Sequence, residues 1–227
     1  MVTHRSSLNT QEDARQLRRL GGRLCLDFVN TVDLLRGQPL EHLRSYADLL
    51  TWSAQAGTLD ARSRQARQLR AAAQARPAEA AVALADALAL RDALQRAFTA
   101  IARGASSPAV DLDELKHAWL AALRRARLTP EPLDHRYDWT WEADDLALER
   151  PLWPVLADAI ALLGAPELAR VKQCGEGDPE GCHWLFVDAS KNGSRHWCSM
   201  EGCGSQAKMR RQYAKRKAAR ASGASPA

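Results

Sequence analysis

Long apolar runs are missing from this chain. Its longest stretch without Asp, Glu, Lys or Arg covers residues 49–59, 11 residues in all, against the roughly 18 that a membrane-spanning helix needs. The start of the chain carries Arg5, Glu12, Asp13, Arg15, Arg18 and Arg19 and lacks the apolar centre of a secretory signal. No Ser-His-Asp order, no phosphate-cradling Gly-rich loop and no catalytic metal triad occurs, so nothing points to an enzyme. Collagen-like, coiled-coil and fully disordered compositions are equally absent. These absences predict a soluble, cytoplasmic protein without a membrane partner.

What is present suffices for a genuine core. Of 227 residues, 46% are hydrophobic and 26% charged, which fits one large domain or a large and a small one. The charge is lopsided. Residues 190–220 hold nine Lys or Arg and the single acid Glu201, a balance of +8, so the remainder of a chain of net charge +5 sums to −3. A mildly acidic body with a basic tail is what a nucleic-acid-binding segment looks like.

Along the body, helical spacing predicts helices over residues 42–56, 60–75, 78–103, 111–127 and 152–163. Residues 24–33 fit either period, with helix preferred. Alternation of Tyr137, Trp139 and Trp141 predicts a strand over 136–142. The fold class expected is a mainly α domain with minor β (α+β) over residues 21–166, after a flexible N-terminus over 1–20. A small zinc-binding unit over 167–221 and a disordered tail over 222–227 complete the chain.

That small unit is read from its cysteines. Cys25 stands alone, whereas Cys174, Cys182, Cys198 and Cys203 fall within 30 residues. In a cytosolic chain such a cluster points to metal before disulfides, and four thiolates close a structural tetrahedral zinc site. Two disulfides remain the alternative, as does replacement of a cysteine by its neighbour His183 or His196. Residues 184–188 and 194–197 read as two strands turning at Asn192-Gly193, and a basic helix over 205–220 starts beside Cys203. Knuckle, hairpin, then a ligand pair at a helix start is the order of a treble-clef-like zinc finger with one Zn(II).

Residues Trp184-Leu185-Phe186-Val187-Asp188, Asn192, Ser194-Arg195, Trp197-Cys198-Ser199-Met200, Cys203-Gly204, Ala207-Lys208 and Arg210-Arg211 closely resemble the CGNR zinc-finger family. In that family the finger follows a domain named ABATE. Gly21-Gly22-Arg23-Leu24 and Leu26-Asp27-Phe28-Val29-Asn30-Thr31-Val32-Asp33 are similar to the opening of ABATE domains. The resemblance covers most of residues 20–215 and implies a stress-induced transcription regulator. Two departures stand out: Ser205-Gln206 replaces the family's Asn-Arg, and the first cysteine pair is more widely spaced. The lost Arg removes any phosphate contact it made, while Ser205 retains the ability to cap a helix.

On the basic helix, Lys208, Arg211 and Lys215 share one face, and Arg210, Arg216 and Lys217 cover much of the rest. Met209 and Tyr213 are left to touch the hairpin. With Arg195 these cations form the expected DNA-binding set, since nine cations against one acid exceed what a helix dipole calls for. The resemblance further implies a small ligand for the body, with Asp27, Asn30 and Asp33 as candidate pocket residues. The preferred reading is that Asp27 and Asn30 satisfy local backbone groups. His42, His117 and His135 lack evident partners, and Cys25 reads as a small buried hydrophobe. The function expected is a transcription regulator whose body senses a ligand or forms a homodimer. The rival readings are a protein-interaction adaptor, and a ligand-binding or enzymatic body with a purely structural finger.

Overall fold

Helix α1 (Leu24–Val29) opens the body and buries Cys25, Leu26, Phe28 and Val29. The ambiguous apolar run thus divides into a helix and then a strand: β1 (Val32–Leu35) pairs antiparallel with β2 (Gln38–Glu41). The computed structural model describes residues 17–35, 38–130, 136–142, 145–175 and 182–221. Expectations for the first 16 residues, His135, the loop after Gly175 and the tail from 222 lie outside the described residues.

Four helices follow. α2 (Tyr46–Ala56) starts later than its spacing predicts, because Ser45 caps it by accepting the Asp48 N–H at 3.2 Å. Gly57, at φ 80°, ends it in the left-handed conformation that glycine tolerates best. α3 (Arg64–Ala75) is capped by Ser63. It is separated from α4 (Pro77–Ala102) only by Arg76, whose φ of −129° leaves the helical region. The cause is Pro77, which disfavours helical backbone in the preceding residue yet is at home in a first turn. α5 (Ala109–Leu123) stops short of the predicted 127, and residues from Ala126 on form a ribbon instead. In it, β3 (Ala126–Pro130) pairs with β4 (Tyr137–Trp141) in the register Leu128 to Trp139.

α4 is the axis of the body, 26 residues and about 39 Å long. Its buried stripe is Ala80, Ala83, Ala87, Leu90, Leu94 and Phe98, and α1, α2, α3 and α5 pack around it. Alanines on the stripe let the neighbouring helices approach closely. α6 (Trp153–Leu163) closes the core beside α1 and α5. On α5, Leu115 and Ala122 are buried, while Leu112 and Leu120 are 39% and 46% exposed.

Past residue 166 the core continues without a break. β5 (Val171–Gln173) pairs antiparallel with β6 (Leu185–Val187), and Val171 and Leu185 belong to the same apolar cluster as the body helices. This corrects the expected hairpin. The partner of residues 185–187 lies before Cys174, and residues 194–197 form no strand. α7 (Ser205–Ala221) ends the described chain. Among the described residues no helix is long and apolar enough to cross a membrane.

Candidate metal centre and basic helix

Strand periodicity sets the site. Along β6 successive side chains alternate in direction: Leu185 enters the body core, and Phe186 joins a second cluster with Cys174 and Cys198. Cys174 follows β5 directly and Cys182 lies just before β6, so the two strand ends present the first ligand pair. Of the second pair, Cys198 precedes a wide turn, Met200–Gly204, that runs into α7, and Cys203 lies within it. Ser199 begins this turn, its hydroxyl accepting the Gly202 N–H at 3.2 Å. Ser205, expected as the cap, donates to the Met200 carbonyl instead. At Gly204 a Cβ would lie 3.0 Å from Met200 Sδ and 3.3 Å from Trp197 Cδ1, so a side chain there makes its neighbours give by a few tenths of an ångström.

All four sulfurs lie within 4.8 Å of one another. The Cys182–Cys198 and Cys198–Cys203 distances are 3.6 Å and Cys182–Cys203 is 3.5 Å. A disulfide needs about 2.05 Å. Sulfurs around one tetrahedral zinc stand about 3.8 Å apart, given Zn–S bonds of about 2.3 Å. The donor set therefore fits one structural zinc ion, and among the described residues the cluster contains no histidine. Left to themselves these thiols cannot all ionise. Sulfur neighbours, Cys174 first, hold the Cys182 and Cys198 thiols above the usual thiol range and drive Cys203 below it. A divalent cation resolves that conflict by favouring every thiolate at once. The Cys198 N–H donates to Cys174 Sγ at 3.1 Å, a bond that strengthens as the sulfur gains charge.

Behind the cysteines stands a polar brace. The Asp188 side chain is inaccessible to solvent; it accepts from Lys172 Nζ at 2.7 Å and from the Ser190 and Arg195 N–H groups at 2.9 Å each. Lys172 and the Ser190 bonds hold its carboxyl well below the usual carboxylate range. Because the Arg195 N–H bonds to Asp188, this stretch curls as a loop rather than pairing as a strand. Its guanidinium stacks on Phe186, 4.5 Å from the ring centre, and donates to the carbonyls of Trp197 and Cys198. The structure thus gives Arg195, one of the cations expected on DNA, a bracing task at the metal loop.

α7 leaves the centre almost without support. Ala207 is buried and Arg210 half-buried, but Met209 and Tyr213, expected against the hairpin, are 61% and 71% exposed. Lys208, Lys215, Arg216 and Lys217 pair with no acid among the described residues, and Arg211 bonds only back to the Ala207 carbonyl.

The candidate pocket residues do not converge. Asp27 accepts the Gly21 N–H at 2.8 Å, and Asp33 bonds the buried His42 at 2.8 Å. Asn30 is spent on the Leu185 backbone, donating to its carbonyl and accepting its N–H at 2.9 Å each. His117 bonds the carbonyl of Asp113 in its own helix. Trp141 packs on Trp153 and donates to the Ala122 carbonyl, whereas Trp139 meets Trp119 edge-on and stays 38% exposed. Cys25 is fully buried.

A zinc finger whose hairpin is built into the core of a helical body defines the class of this protein. Family comparison gives the same division. The ABATE family, described as "Putative stress-induced transcription regulator", matches residues 22–166, and the CGNR zinc finger matches 170–216. The chain belongs to the ABATE family and carries a CGNR zinc finger; both are regulatory or zinc-finger types rather than enzyme families. Comparison with curated proteins returned no match. Sequence reading missed Lys172 and left Asp188 without a role. The signal available was Asp188 directly after an apolar strand, with Ser190 two residues on, which is the pattern of a side-chain turn.

Proposed function

We propose that this protein regulates transcription by binding DNA through α7, which the zinc centre fixes at its first turn. One observation carries the reading: α7 projects from the metal centre with Lys208, Arg211 and Lys215 on one exposed face and no acidic partner for Lys208 or Lys215 among the described residues. An isolated helix of this length is marginal in water, and like charges four residues apart, as at Arg211 and Lys215, weaken it further. Phosphates laid along that face neutralise the repulsion and release counterions. Arg195 acts here by holding the loop, Arg216 lies beside the contact face, and Arg210 and Lys217 lie on the far side of the helix. The body serves as a ligand-sensing or dimerisation unit.

The test is a salt series with the zinc-loaded chain and a duplex of random sequence. With three to six phosphate contacts, log K falls against log[salt] with a slope of about −3 to −5. Neutralising Lys208, Arg211 and Lys215 together to Gln is expected to flatten it by about 2.7, at about 0.9 per contact. A flat response in both proteins removes the DNA reading. It would favour docking on an acidic protein, the second reading supported by exposed Met209 and Tyr213 among the cations.

A further inference from the structure

Between the body and the metal centre lies a cavity of about 330 Å³, walled by Asp92, Arg91 and Arg96 of α4, Glu41 of β2, and Cys182 and Trp184 beside the zinc site. That volume suits a small ligand. The wall carries two arginines and two carboxylates, and each arginine is engaged by acids. Arg91 holds both Glu41 oxygens at 2.7 Å and also donates to Asp92 Oδ1 at 3.2 and 3.3 Å. Arg96 is taken by Asp111, at 2.7 to 3.2 Å. Two guanidinium groups are therefore shared among three carboxylates, of which Glu41 and Asp92 line the cavity and the buried Asp111 lies behind Arg96; Asp92 Oδ2 accepts no hydrogen bond among the described residues.

The opposite wall adds to this. Cys182 belongs to a centre in which four thiolates and Zn(II) leave a formal charge of −2. Low-dielectric clefts of one sign concentrate ions of the other. Trp184 contributes an aromatic face held in place by its Nε1–H, which donates to the Val32 carbonyl at 3.3 Å. Such a ring takes both hydrocarbon and cation.

We propose that this cavity binds a small organic amine in its ammonium form, the ammonium on Asp92 and the hydrocarbon against Trp184. The proposal rests on the reading of the body as a ligand-sensing unit and gives that ligand a place and a chemistry. Cys182 and Trp184 belong to the cavity wall and also to the chain segment that delivers a zinc ligand. A bound amine therefore restrains the metal centre from which α7 departs.

The test uses the zinc-loaded full chain without nucleic acid. It is titrated with n-butylammonium chloride and with 1,4-diaminobutane dihydrochloride, against sodium butyrate and sodium chloride of equal ionic strength. Tryptophan fluorescence, melting temperature and the rate of zinc release to a chelator are followed. Saturable responses to an amine are expected, with slower zinc release and none of these effects from butyrate. The Asp92 side chain is 52% exposed, and Asp92→Asn leaves the Arg91–Glu41 pair intact. That variant is expected to bind the amine at least about tenfold more weakly, having lost a charge-assisted contact. No saturable response to either amine, an equal response to butyrate, or undiminished binding by Asp92→Asn overturns the proposal. The wild-type contrast between amine and butyrate decides the matter even if the variant fails to fold. DNA binding is scored separately, so an amine response without DNA binding removes only the DNA-binding reading, and the converse removes only the amine site.

Discussion

Asp27 and Asp188 are carboxylates in sheltered surroundings whose neighbours drive them in opposite directions. Lys172 and Ser190 stabilise the Asp188 anion, so its contribution to stability is present at neutral pH and fades as pH falls below the usual carboxylate range. Asp27 forms no ion pair among the described residues, and Arg19 favours its anion only weakly against burial. Burial pushes its carboxyl up to about 6, opposed by the Gly21 N–H it accepts. The folded state then holds the Asp27 proton more tightly than the unfolded chain does, so this group costs stability as pH rises from about 4 to about 6. Asn at this position keeps an oxygen for Gly21 and cannot ionise. Urea unfolding across that window is therefore expected to show Asp27→Asn gaining on the wild type as pH rises. A constant gap between the two would count against this account.

At the level of elements, β6 is the piece on which everything meets. Its backbone is tied to α1 by Asn30, to Gly21 by the Val187 N–H at 2.8 Å, and to the metal knuckle by the Trp184 carbonyl, which accepts the Cys174 N–H at 2.7 Å. Asn30→Ala strands a buried N–H and a buried carbonyl together, at an expected cost of about 3 kcal/mol in urea denaturation. Asn192→Ala, on an exposed loop, is expected to change stability by less than about 0.5 kcal/mol. Most body elements are legible in the sequence because 3.6-residue spacing over ten or more residues is a strong signal. β5 is not legible, since three residues are too few to show a period. The strand expected over 194–197 fails for another reason: a carboxylate seven residues earlier takes the backbone N–H that a strand partner would have used.

For the whole molecule, the shared hairpin makes metal and fold one thermodynamic system. Leu185 and Phe186 are neighbours in sequence, yet one is buried in the body and the other beside the cysteines. Stripping zinc frees the ends of β5 and β6 and loosens that core as well. Calorimetry is expected to show the entire chain melting at lower temperature with zinc chelated. Separate melting of an unchanged body and a destabilised finger would show the two to be independent. The charge separation acts at the same scale: a body of about −3 directs any polyanion to the basic end of the chain.

The four cysteines, the helical body and the basic end were determined by sequence alone, because residue type, spacing and charge survive without coordinates. Tertiary structure alone decided which strand pairs with residues 185–187, that Asn30 serves a backbone 155 residues away, and that Arg195 braces the metal loop. It also brought Glu41, Asp92 and Cys182 around one cavity. Each of these depends on which groups lose water together when distant segments meet. A buried N–H, carbonyl or charge then takes whatever partner that meeting supplies, and spacing along the chain does not encode the choice.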